Sequence, residues 1–69
     1  MPIYLAQAHE YLTIKEIRGN DKIKKHLENL GFIVGEQIML ISKVDDNVIL
    51  KLKGVSIAIS HELAKRIFV

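Results

Sequence analysis

The spacing of apolar residues changes several times along the chain, and each change predicts an element. From Tyr11 the run "YLTIKEI" alternates, with Leu12 and Ile14 on one side and Thr13 and Lys15 on the other. This predicts a half-buried strand that Gly19 ends. The period then lengthens in "DKIKKHLENL", where Ile23, Leu27 and Leu30 recur four and three residues apart. That spacing predicts a helix of roughly ten residues with one apolar stripe. Asn20, just ahead of it, carries a short side-chain acceptor suited to capping its first turn. So short a helix is marginal alone, and its stripe has to be held against a sheet.

Two glycines close the helix and open the next strand. Gly31 follows Leu30, where a residue without Cβ turns left-handed at low cost and the next residue, Phe32, folds back on Leu27. Gly35 suits the third position of a tight turn ahead of a strand beginning at Glu36. A membrane Gly-x-x-x-Gly helix pair would need an apolar span of about 20 residues, which Glu28, Asn29 and Glu36 exclude.

Beyond Gly35, "EQIMLISKV" and "NVILKLK" flank Asp45-Asp46-Asn47, a turn signal that predicts an antiparallel hairpin. Val48, Leu50 and Leu52 alternate with Ile49, Lys51 and Lys53. Gly54 breaks that strand, and "VSIAI" continues with Val55, Ile57 and Ile59 on one face and Ser56 and Ala58 on the other. Ser60 can cap a helical turn through "HELAKRI", with Glu62 near its positive end and Lys65 and Arg66 near its negative end. These elements, in one domain over residues 1–69 without linker or repeat, predict a mainly β fold with short helices. A chain too small for two full sheets is expected to curl into a small, partly open barrel that protects its edges.

A chain of this length buries only about 60% of its unfolded surface, so the 49% of hydrophobic residues must pack densely. There is no cysteine to supply a disulfide or a thiolate metal site. The longest apolar runs, Ile38 to Ile41 and Val48 to Leu50, are far below a membrane span, and "MPIYLAQAHEY" has no secretory-signal pattern. A cytoplasmic location is expected. Ten Lys plus Arg against eight Asp plus Glu leave a formal charge of +2, mildly basic.

The pattern Leu27-x-x-Leu30-Gly31-Phe32-x-x-Gly35-x-x-Ile38 resembles the helix, turn and strand signature of the FeoA family, ferrous iron transport protein A. Ile57-Ala58-Ile59, then Ala64, Ile67 and Val69, are similar to that family's closing strand, helical turn and final strand. Val34 stands where the family commonly has proline, and Ala8-His9 where it usually has Pro-Gly. The resemblance implies an SH3-like barrel and a non-enzymatic accessory role in bacterial ferrous iron uptake. Its implied partner is the cytosolic GTP-binding part of the FeoB permease, whose transport it would modulate.

The residues themselves offer little catalytic chemistry. No two of the three histidines stand three or four residues apart, so no metal site or cofactor is expected. Asp45 and Asp46 read as turn residues, and Ser42, Ser56 and Ser60 have no histidine and acid arranged beside them in sequence. Arg18 and Arg66 raise the idea of an arginine supplied to a partner's phosphates, but solvated or helix-end charges are the expected roles. The partner-binding candidates lie on the helix instead: Lys25, Glu28 and Asn29 opposite the apolar stripe, with His26 on the flank. Asn20, Gly31, Gly35 and Gly54 are assigned to caps and turns.

An exposed sheet edge is a second docking candidate, and Lys43, Lys51 and Lys53 either serve such docking or guard against it. Two alternative functions remain. A nucleic-acid-binding small barrel would use Lys22, Lys24, Lys25, Lys43, Lys51 and Lys53, although acids interrupt them and aromatic platforms are sparse. The other is an SH3-like domain of an iron-dependent repressor, since those repressors are described as carrying a similar domain at their C-terminal end.

Overall fold

The computed structural model describes residues 1–69. A four-stranded antiparallel sheet runs in the order β1 (Tyr11–Thr13), β3 (Gln37–Val44), β4 (Asn47–Leu52) and β5 (Val55–Ser60). A two-stranded sheet joins β2 (Glu16–Ile17) to β6 (Ile67–Phe68). The helices are α1 (Asp21–Asn29) and the single turn α2 (His61–Ala64). A β-bulge between Leu40 and Ser42 interrupts the β3–β4 register and bends the longest strand.

The run "YLTIKEI" does not form one strand. Its first three residues pair with β3 and its last two with β6. The switch falls at one peptide link, where the Ile14 N–H donates to the Glu36 carbonyl at 2.9 Å and the Lys15 N–H to the Phe68 carbonyl at 2.7 Å. The alternation slips at that point: Ile14 is buried, Lys15 and Glu16 are both exposed and Ile17 is half-buried, so the inward phase shifts by one residue as the strand changes partner.

The start of the chain is also more than a tail. Ile3–Leu5 form a 3₁₀ turn, and Ile3 and Ala6 are buried in the core. The Met1 ammonium donates to the Val69 carbonyl at 3.0 Å, and the Val69 N–H returns a bond to the Met1 carbonyl at 2.8 Å. His9, in the segment where a Pro-Gly pair is missing, takes a left-handed φ of 67° and donates its N–H to the Leu40 carbonyl at 2.8 Å.

The helix is built at both ends by its own sequence. Asn20 Oδ1 accepts from the Ile23 N–H at 2.8 Å. At the other end Gly31 has φ 101°, its N–H donates to the Glu28 carbonyl at 2.9 Å, and the Phe32 N–H donates to the Leu27 carbonyl at 3.0 Å. This pair of bonds is the Schellman arrangement, which satisfies two carbonyls the helix leaves open. It sends Phe32 inward, where it is buried with Leu27.

The next turn closes with a bond of 3.0 Å from the Glu36 N–H to the Ile33 carbonyl, and Gly35 at its third position has φ 98°. β3 begins at Gln37, one residue later than the spacing suggests. The β3–β4 connection holds only Asp45 and Asp46, since Asn47 pairs with Val44 as the first residue of β4. Lys53 and Gly54, both with positive φ, make the β4–β5 turn.

The core holds 14 buried residues, all apolar. Val48, Leu50 and Leu52 supply the inward face of β4. In β5 burial fades toward the turn: Ile59 is buried, Ile57 partly so, and Val55 is 58% exposed. The alternation names the right face there but not its depth.

Candidate functional site

A helix stopped by Gly31 and a turn stopped by Gly35 leave Ile33 and Val34 between them with no room in the core. Phe32 takes the inward position, so the next two side chains face out, with Ile33 44% and Val34 57% exposed. The turn thus presents two adjacent β-branched side chains on a backbone held by bonds at both ends. Such fixed apolar groups lose little conformational entropy when a partner covers them.

Beside this turn lies an open groove of about 490 Å³, lined on one wall by Lys24 and Glu28 of α1 and on the other by Lys15, Glu16 and Ile17. Phe32, Ile33 and Val34 complete its lining. Glu16 is paired with Arg18 at 3.0 Å, whereas Lys15, Lys24 and Glu28 form no ion pair. The groove therefore joins an apolar lip to three uncommitted charges, a composition suited to a polypeptide surface.

Of the four helix residues singled out for partner binding, all are exposed, but only Glu28 lines this groove. Lys25, His26 and Asn29 lie farther round the helix, and the side chains of all four form no intramolecular hydrogen bond or ion pair. Helical spacing explains the division: Lys24 and Glu28 are four apart and share one flank. Sequence reasoning passed over Ile33 and Val34, although two apolar residues trapped between glycine stops, after an inward Phe32, are a legible signal for exposure.

Both arginines are engaged within the chain. The Arg18 guanidinium lies 3.9 Å from the centre of the Phe68 ring and also holds Glu16. Arg66 approaches Glu62 at 3.4 Å, and Lys65 holds the same carboxylate at 2.9 Å. The hydrogen bond from Lys65, helped by the nearby positive charge of Lys65 and Arg66, lowers the Glu62 pKa below its usual range.

The histidines lie apart, His9 in the first loop, His26 on α1 and His61 at the start of α2. No group of three His, Cys, Asp or Glu side chains is gathered in a way that could hold a metal ion. No helix is long and apolar enough to cross a membrane.

Structural comparison places this geometry among small SH3-like proteins. A crystal structure of the iron uptake regulatory protein FeoA matches with a TM-score of 0.86 at 22% identity, covering 97% of this chain and 91% of that one. FeoA of Stenotrophomonas maltophilia, described as a procaryotic SH3 domain protein complexed with zinc, matches with a TM-score of 0.82 at 23% identity. That match covers 100% of this chain and 88% of the other. A manganese-dependent transcriptional repressor shares the fold at a TM-score of 0.88 with 8% identity, over 100% of this chain and 40% of its own.

A comparison with curated proteins finds no match. The model of the FeoA domain matches residues 1–69, the glycine-stopped helix and the closing β6 included. With the fold and this full-length match in agreement, the chain belongs to the FeoA family, the SH3-like domain family associated with ferrous iron transport.

Proposed function

We propose that the chain is a non-enzymatic, cytosolic accessory module that binds the cytosolic GTP-binding part of a FeoB-type permease and modulates ferrous iron transport. The observation that carries this reading is the Ile33–Val34 lip beside the groove, exposed apolar surface with Lys15, Lys24 and Glu28 free to pair. Family membership supplies the process, and the surface supplies a means of contact. The exposed α1 residues Lys25, His26 and Asn29 lie farther round the helix from the groove and are assigned to the outer rim of the proposed interface.

The test is a titration of the chain against the permease cytosolic domain, with and without guanine nucleotide and ferrous ion. Saturable binding at or below tens of micromolar is expected, and Val34→Asp should weaken it by about tenfold or more while leaving the unfolding midpoint in place. Absence of binding under every combination overturns the reading.

The nucleic-acid alternative has weaker support. Lys22, Lys24 and Lys25 lie on α1 while Lys51 lies on the central strand β4, so the lysines do not form one stripe. The repressor likeness extends to the fold alone.

A further inference from the structure

We propose that β5 is an association edge that pairs antiparallel with β5 of a second copy of this chain. The sheet order leaves β1 and β5 at the edges; Lys51, on the inner strand β4, guards neither, and Lys43 lies on the part of β3 beyond its pairing with β1, on the far side of the sheet order from β5. The edge strand β5 reads Val-Ser-Ile-Ala-Ile-Ser, six residues with no charge and no proline. It lacks the devices that ordinarily keep an edge from pairing.

The turn fixes which backbone groups are free. In a two-residue hairpin the pair flanking the turn, here Leu52 and Val55, exchanges hydrogen bonds, and pairs then alternate. Ile57 and Ile59 accordingly bond to β4 opposite Leu50 and Val48. Ser56 and Ala58 point their N–H and C=O groups outward, and both residues are exposed.

A second β5 meets these groups symmetrically. With a two-fold axis at Ile57, Ser56 of one copy exchanges two hydrogen bonds with Ala58 of the other, and the reverse pair exchanges two more. The same register sets Ile57 directly opposite its own counterpart and Val55 opposite Ile59, at Cα separations of about 4.5 Å. Val55, 58% exposed in the single chain, thereby gains an apolar cross-strand neighbour, and half-buried Ile57 gains another. No like charges come opposite each other along the strand, which favours a copy of this chain over a charged partner strand.

Concentration-dependent amide hydrogen exchange tests the edge directly. Between about 10 μM and about 1 mM, the Ser56 and Ala58 amides should slow several-fold while the Ile57 amide, already bonded to β4, changes little. Sedimentation over the same range should show a monomer–dimer equilibrium. Ala58→Pro removes an N–H that the single chain does not use and should weaken association about tenfold or more. Val55→Asp, at an exposed position, should weaken it as well and covers the case in which the proline variant fails to fold. A chain that stays monomeric to about 1 mM, or a dimer whose protection avoids Ser56 and Ala58, overturns the proposal. Neither outcome bears on permease binding, which is proposed for the groove beside Ile33 and Val34, whose lining includes no residue of β5.

Discussion

Gly31 and Gly35 stand four residues apart with nearly the same φ, 101° and 98°, yet their surroundings differ. A Cβ built on Gly31 would come within 2.9 Å of a Leu52 methyl, whereas one on Gly35 would meet nothing within 4 Å. The first glycine fastens the helix end to the sheet, and the second lifts an apolar turn into solvent. A single backbone conformation thus serves packing at one site and presentation at the other, and the difference lies in the neighbours.

Valine at each position gives the widest separation between them. Gly31→Val combines a left-handed β-branched residue with overpacking against Leu52 and should cost about 3 kcal/mol or more. Gly35→Val meets only the backbone penalty, about 1–2 kcal/mol. Asn29→Val, on the exposed helix face, should stay within about 0.5 kcal/mol of the parent. Denaturant unfolding of the three variants ranks them, and equal midpoints for the two glycine variants would erase the distinction.

The helix start provides an intermediate case. Asn20→Ala removes the acceptor of the Ile23 N–H bond and should cost about 1 kcal/mol by the same measurement. Because the capping bond is exposed to solvent, water replaces part of it, which keeps this loss below that at Gly31.

The smallest expected effect lies at α2. Glu62 has a folded-state pKa below its unfolded value, so its contribution is present above the unfolded pKa and fades as pH falls through the folded one. Since the carboxylate is fully exposed, solvent screens this contribution. Glu62→Gln should therefore flatten the acid limb of a stability–pH curve only slightly, and a large change would show a role beyond Lys65 and Arg66.

Much of the fold was legible where local chemistry decides it. Ile23, Leu27 and Leu30 announce α1, Asn20 and Gly31 mark its ends, and the alternation through β4 identifies Val48, Leu50 and Leu52 as core. What stayed hidden depends on partners distant in sequence. Leu12 and Ile14 alternate alike whatever their partner, and the one local mark of the division into β1 and β2, the slip of the period at Lys15–Glu16, does not say which strand Ile17 joins. Ile3 and Ala6 are too few to show a period, yet they fill the core.

The candidate site was legible in part for the same reason. Helical phase places Glu28 on the surface, but the groove needs the second wall of Lys15, Glu16 and Ile17, which only tertiary contact brings near. Likewise the lysine pattern could not say which strands end the sheet, because edge status belongs to topology.

The reciprocal bonds between Met1 and Val69 carry a consequence for engineering. Because they hold the first and last residues side by side, a short peptide bridge across that seam would leave the surrounding strands undisturbed. New termini could then be opened at the Asp45–Asp46 loop, giving a circularly permuted chain whose β-ladders are the same but whose order of synthesis is not.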